Sequence, residues 1–274
     1  MQLTNVTFPV GVEIIGASAF QNNLFTTVNF PNTVININSH AFSSNQIGPT
    51  LTLPDSVETI VANSFYNNQP LVTVYIGTGL KTYGSESYNV FADIQGLPDG
   101  FDDPMGCASM NRWHDPFRLC INLEKIIVNV NNQNFKSIND NLYNKAGTWI
   151  VRATKTTTKI AYGTIGVNEY AFADLEINSI LAIPDTLKYL ASNSFDSFKS
   201  DKTIIFPNSL KIISTRSFYN TDVTISIGNG LDTVFSHCFD KRNTITINKK
   251  ASQVKYYKNA CDSFDKATVT FLPE

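Results

Sequence analysis

Charge is scarce in this chain and nearly balanced: 21 Lys and Arg stand against 23 Asp and Glu in 274 residues, a formal net charge of −2. Nucleic-acid binding announces itself by clustered Lys and Arg, so a phosphate-binding surface is not expected. No apolar run approaches the roughly 18 residues of a membrane-spanning helix, and no charged-then-apolar leader opens the sequence as given. Four Cys are too few for a disulfide framework, and none stands in a CxxC or Cys–His metal spacing. There are three His, no GxSxG elbow and no P-loop, and the carboxylates are scattered rather than paired. Nothing here indicates catalysis, a resident metal or a cofactor.

What the chain has is a period of about 23 residues. VTFPVGVEIIGASAF (6–20), VNFPNTVININSHAF (28–42), LTLPDSVETIVANSF (51–65), LAIPDTLKYLASNSF (181–195) and IIFPNSLKIISTRSF (204–218) each place a Pro eleven residues before a Phe. A period of this length across both halves of a chain means stacked coils. Apolar residues stand three and one before the Pro, as in Val28 and Phe30 or Leu51 and Leu53, which is the alternation of a short strand with one buried face. Further apolar positions follow three and six after it: Val12 and Ile15, Val34 and Ile37, Val57 and Ile60, Leu187 and Leu190, Leu210 and Ile213. The Phe closes the coil behind a small residue (Ala19, Ala41, Ser64, Ser194, Ser217), where neighbouring coils must approach closely.

Gly replaces Pro twice, Gly77 leading to Phe91 and Gly228 leading to Phe239, and marks the same corner. After the Phe the chain is rich in Asn (Asn22, Asn23, Asn45, Asn67, Asn68, Asn220), residues that tolerate turn geometry and predict loops on the convex side or edge. His40 and His237 share the phase two before the Phe with Ser18, Asn63, Asn193 and Arg216, a variety that predicts an exposed column. Cys238 and Cys261 read as small buried residues.

The pattern, matched almost throughout by FPVGVEIIGASAF, resembles the BspA-like leucine-rich repeat, whose consensus is an apolar strand, Pro, Val, Ile-Gly and Ala-Phe. The resemblance implies a mostly β repeat solenoid, a right-handed superhelix of about nine to ten coils, used for binding proteins, cells or matrix and not for catalysis. The family often carries a Cys three residues after the Phe; Asn23, Asn45 and Asn68 hold that phase here. The stretch from Leu123 to Phe172 resembles a degenerate coil with a β-hairpin, its strands at Leu142-Tyr143 and Trp149–Val151 and its turn at Asn144–Gly147. Thr164 then sits where a branched apolar residue is expected.

One solenoid domain over 1–274 is therefore expected: N-terminal coils 1–95, an insertion 96–119, the degenerate coil and hairpin 120–160, C-terminal coils 161–247 and a cap 248–274. Within the cap, 252–267 suggests a short helix and Val269–Leu272 a last strand. No amphipathic segment precedes the first coil, so a preceding domain or a neighbouring subunit is expected to cover it.

Insertions in solenoids emerge on one face and often carry function, although a packed rim loop is the simpler alternative. This one holds Trp113, His114 and Asp115, an aromatic able to stack on a sugar beside a polar pair able to bond its hydroxyls. Asp99, Asp102 and Asp103 resemble a calcium loop without its register. Cys107 and Cys120 could close the loop as a disulfide outside a reducing cell. The remaining candidate contacts face outward on strands: Thr27, Asn29, Thr52, Thr73, Tyr75 and Thr203. The expected function is a non-enzymatic module that binds a protein or glycan on a host or neighbouring cell, at the cell surface or outside it. The alternative is a structural part of a larger assembly such as a surface layer or phage tail.

Overall fold

The computed structural model describes residues 2–84, 115–235, 237–256 and 267–273. Among the described residues the chain is a β-solenoid of about nine turns with almost no helix. Its contacts divide into two compact units, one from residues 2–84, 115–146 and 153–155, the other from 147–152 and the described residues after 155.

In the first unit the coils build two parallel sheets. Strands before the Pro phase are β3 (Thr50–Leu53), β5 (Thr73–Ile76) and β7 (Lys125–Val128), paired in that order. Strands after it are β1 (Ile14–Ile15), β2 (Asn36–Ile37), β4 (Thr59–Val61) and β6 (Thr82–Gly84). Registers are in phase with the repeat: Ile15, Ile37, Ile60 and Tyr83 form one inward column, and Leu51, Val74 and Ile126 another. The third side of each coil is the Phe-bearing turn, where ladder bonds such as Phe42 N–H to Ser64 O at 2.7 Å join coil to coil. The rings stack: Phe20 on Phe42 at 5.2 Å, Phe42 on Phe65 at 5.5 Å and Phe65 on Phe117 at 5.5 Å.

That last contact corrects the sequence reading. The ring that stacks next on Phe65 is Phe117, and the bonds Asn63 N–H to Asp115 O and Phe65 N–H to Pro116 O place Asp115–Cys120 in the coil's closing turn. Residues 115–119 are therefore coil rather than insertion; Phe91 lies outside the described residues. With Phe117 as reference, Cys120 falls three residues after the Phe, in the family's Cys column, and its sulfur lies 3.2 Å from the Phe65 carbonyl oxygen.

Asn45 and Asn68 are corrected as well, being buried rather than on loop surfaces. Asn68 Oδ1 accepts from Ile47 N–H at 3.0 Å, while its Nδ2 donates to Phe42 O and Phe65 O, both at 2.9 Å. Asn45 repeats the arrangement on Phe25 N–H, Phe20 O and Phe42 O. A buried amide with a donor and an acceptor group bridges two coils at once, which a hydrophobic side chain cannot do. Asn22, Asn67 and Asn220 do take the left-handed turn conformation expected of them, at φ 59°, 56° and 54°. The phase two before the Phe is left-handed too, from Ser18 at 55° to His237 at 54°, and it is not uniformly exposed: Asn63 and His237 are buried.

Beyond β7, β8 (Phe135–Ile138) and β9 (Asn141–Asn144) form an antiparallel hairpin whose two turn residues, Asn139 and Asp140, both have positive φ. That is the preferred two-residue hairpin geometry, and it precedes the turn expected at 144–147.

The second unit repeats the two-sheet plan. One sheet runs β10 (Trp149–Arg152), β11 (Gly166–Val167), β12 (Tyr189–Leu190), β14 (Ile212–Ile213), β16 (Thr233–Val234), β18 (Lys255–Tyr256); the other runs β13 (Ile204–Phe206), β15 (Thr224–Ile227), β17 (Thr244–Lys250), β19 (Thr268–Leu272). Phe172, Phe195, Phe218 and Phe239 stack at successive separations of 4.7, 5.0 and 5.7 Å. Thr164 is buried at its apolar phase because its hydroxyl donates to Ala161 O at 2.7 Å, which satisfies the polar group locally. Of the helix suggested at 252–267, the described part shows a 3-10 turn over Ala251–Gln253; Cys261 lies outside the described residues.

Candidate functional site

Strands with one face in the core turn alternate residues outward. On β3, β5 and β7 the outward positions form two cross-strand rows, Thr50–Thr73–Lys125 and Thr52–Tyr75–Ile127, while Leu51, Val74 and Ile126 point inward. The second row, with residues of the preceding coil, borders an open recess of about 590 Å³. Thr27, Asn29, Thr52 and Tyr75, four of the contacts expected from alternation, line it together. Tyr75 is the exposed aromatic among its lining residues, 43% accessible.

Two lining residues, Asp55 and Gly77, belong to a tight coil-to-coil approach. Asp55 Oδ1 accepts Thr78 N–H at 2.7 Å. A Cβ on Gly77 would lie 2.7 Å from Asp55, and one on Gly79 2.1 Å from the Asp55 carbonyl oxygen. Gly at this Pro phase is therefore required by lack of room against the previous coil, beyond its use in a corner. Gly228 and Gly230 stand against Asn208 in the same way in the second unit.

The other expected residues are placed elsewhere. Thr73 is on β5 outside the recess lining, and Thr203 is an exposed residue of the second unit, before β13. Trp113, His114 and Cys107 lie outside the described residues, as do Asp99, Asp102 and Asp103. Asp115 is corrected: it is 3% exposed and its Oδ1 accepts from Tyr83 Oη at 2.7 Å and Phe117 N–H at 3.1 Å, an internal brace for the turn rather than a surface ligand group. Sequence reasoning missed Asn32, Asp55 and Asn129. The signal was present: Asn32 and Asp55 each follow a coil Pro, and Asn129 takes the Pro phase of its own coil.

None of the lining residues is Lys or Arg, and Asp55 is the one carboxylate among them. Among the described residues, no group of three or more His, Cys, Asp or Glu converges as metal ligands would. No helix of the described residues is long and apolar enough to cross a membrane.

A family model described as a BspA type leucine rich repeat region matches this chain in six copies over residues 1–97 and 164–271. Among solved structures, the pneumococcal vaccine antigen PcpA is similar with a TM-score of 0.58 at 17% identity, over 96% of this chain and 72% of that one. A leucine-rich repeat protein from Eubacterium ventriosum ATCC 27560 gives 0.53 at 15% identity, over 93% and 83%. A leucine rich cell surface protein from Faecalibacterium prausnitzii A2-165 gives 0.60 at 16% identity, over 94% of this chain and 62% of that one. At these identities the likeness is one of fold. No curated protein sequence matches.

Proposed function

Because the chain belongs to the BspA-type leucine-rich repeat family, we propose that it is a non-enzymatic recognition module, binding a protein or glycan partner at a cell surface or in a matrix. The observation that carries this is the recess on the β3–β5–β7 face, where hydroxyls, amides and an exposed tyrosine stand on a backbone held in register by parallel ladders. A rigid array loses little freedom when it is engaged, so several modest contacts suffice for binding. Support for a surface location comes from the similar folds of a vaccine antigen and a cell surface protein.

The test is a binding screen against host-cell surfaces, matrix proteins and glycans with three proteins: the full chain, Thr52→Arg, and a chain lacking residues 96–112. The deletion ends before Asp115 because Phe117 and Cys120 are core. Binding lost in Thr52→Arg and kept in the deletion supports the recess. Equal binding by the full chain and Thr52→Arg dismisses this face, and loss with the deletion alone assigns recognition to the insertion.

A further inference from the structure

We propose that the recess is a subsite for a neutral oligosaccharide, with Tyr75 as the stacking platform; this rests on the recognition reading above and narrows its ligand. Three features of the recess converge on a sugar. The first is the surround of the aromatic ring. Tyr75 is flanked in register by Thr52 on one side and Ile127 on the other. Among the described residues its ring packs on no other aromatic ring, and the residue is 43% exposed. A pyranose has a face of C–H bonds and a rim of hydroxyls. Lying on Tyr75, it would meet apolar carbon towards Ile127 and a hydroxyl partner at Thr52.

The second is hydrogen-bonding capacity. The side chains of Thr27, Asn29, Asn32 and Thr50 make no hydrogen bond to other described residues, and each lines the recess. Hydroxyl and carboxamide groups both donate and accept, which matches sugar hydroxyls of either orientation. Asp55 Oδ1 is engaged by Thr78 N–H at 2.7 Å, which orients the carboxylate at the edge of the site.

The third is charge. With Asp55 present and no Lys or Arg in the lining, a sulfated or sialylated chain would bring its anion to a carboxylate without a counter-charge. The volume of about 590 Å³ is that of a small-molecule site. Its openness to solvent suits a few sugar units of a longer chain better than an enclosed apolar ligand.

The experiment uses the full chain and a panel of short neutral hexose and N-acetylhexosamine oligosaccharides with their sulfated and sialylated counterparts, read by calorimetry and by tyrosine fluorescence. Neutral members are expected to bind and charged ones to bind more weakly. Tyr75→Ala weakens binding about tenfold, the scale of one stacking contact, while Tyr75→Phe stays within about threefold. Asp55→Asn keeps an acceptor for Thr78 N–H and raises binding of the sulfated set. All three variants are at exposed positions, and unchanged thermal melts verify their folding. Neutral binding that is indifferent to Tyr75→Ala overturns the proposal, as does preference for sulfated chains or absence of binding across the panel. Capture of a protein ligand that Thr52→Arg abolishes, with no sugar bound, also overturns it while leaving the recognition reading intact.

Discussion

Asn68→Ala would remove one amide that joins two coils. Asn68 is fully buried, accepts the Ile47 N–H and donates to the carbonyls of Phe42 and Phe65. Ile47 N–H has Asn68 as its partner across the coil, so the substitution strands a buried donor at a cost of about 1–3 kcal/mol. The two lost donor bonds add about 0.5–1.5 kcal/mol each. This lies towards the lower end, because Phe42 O also takes Asn45 Nδ2 at 3.1 Å and Phe65 O has the Cys120 sulfur at 3.2 Å. The total is about 2–6 kcal/mol, measured as the shift in urea unfolding midpoint against Gln69→Ala, an exposed control. Asn68→Cys copies the group found at Cys120 and should fall between wild type and Asn68→Ala. Asn68→Asp keeps the acceptor but sets its second oxygen against two carbonyls, so burial and those dipoles raise its pKa above the ordinary carboxylate value. The folded state then binds the proton more tightly than the unfolded one, so this variant's deficit is smallest in acid and grows as pH rises through the raised pKa. A loss below about 1 kcal/mol for Asn68→Ala, or a deficit of Asn68→Asp that grows in acid, would refute the reasoning.

Phe117→Ala should cost about 3–5 kcal/mol, as much as Phe65→Ala, since both rings are fully buried in one stack; a near-neutral result in denaturant unfolding would remove Phe117 from the column. Gly230→Ala places a Cβ 1.6 Å from the Asn208 carbonyl oxygen and should lower the melting temperature sharply or prevent folding, whereas Gly16→Ala meets nothing within 4 Å and should be near neutral. Equal melts for the two would contradict the close approach of coils. Lys81→Met breaks a 2.7 Å contact with Glu58, yet both side chains are about half exposed, so stability should change by no more than about 1 kcal/mol, with little dependence on salt.

Much of the fold was legible because a solenoid makes each coil solve the same packing problem. Strand alternation, the Pro corner and the Phe plug recur at one spacing, so chance coincidence is averaged away. The contacts Thr27, Asn29, Thr52 and Tyr75 followed from alternation alone, since a period of two assigns a face without reference to any neighbour. Asp55 and Asn129 did not, because a corner residue has no alternation to give its direction.

Distance along the chain points to Phe91 as the next plug, but an insertion inside a coil makes sequence distance useless as a measure of stacking distance; the ring found against Phe65 is Phe117. Asn45 and Asn68 stand in Asn-rich stretches after a coil Phe, a composition that points to turns. Whether such an amide faces water or bridges two coils depends on the carbonyl and N–H groups of the next coil. The sequence by itself determined the repeat, its two strand-forming phases and the outward row of the first sheet, because these follow from local periodicity. Tertiary structure decided which aromatic fills an interrupted column, which asparagines are core, and that Tyr75 stands in a recess with Asp55 at its edge, because each depends on atoms that belong to a different coil.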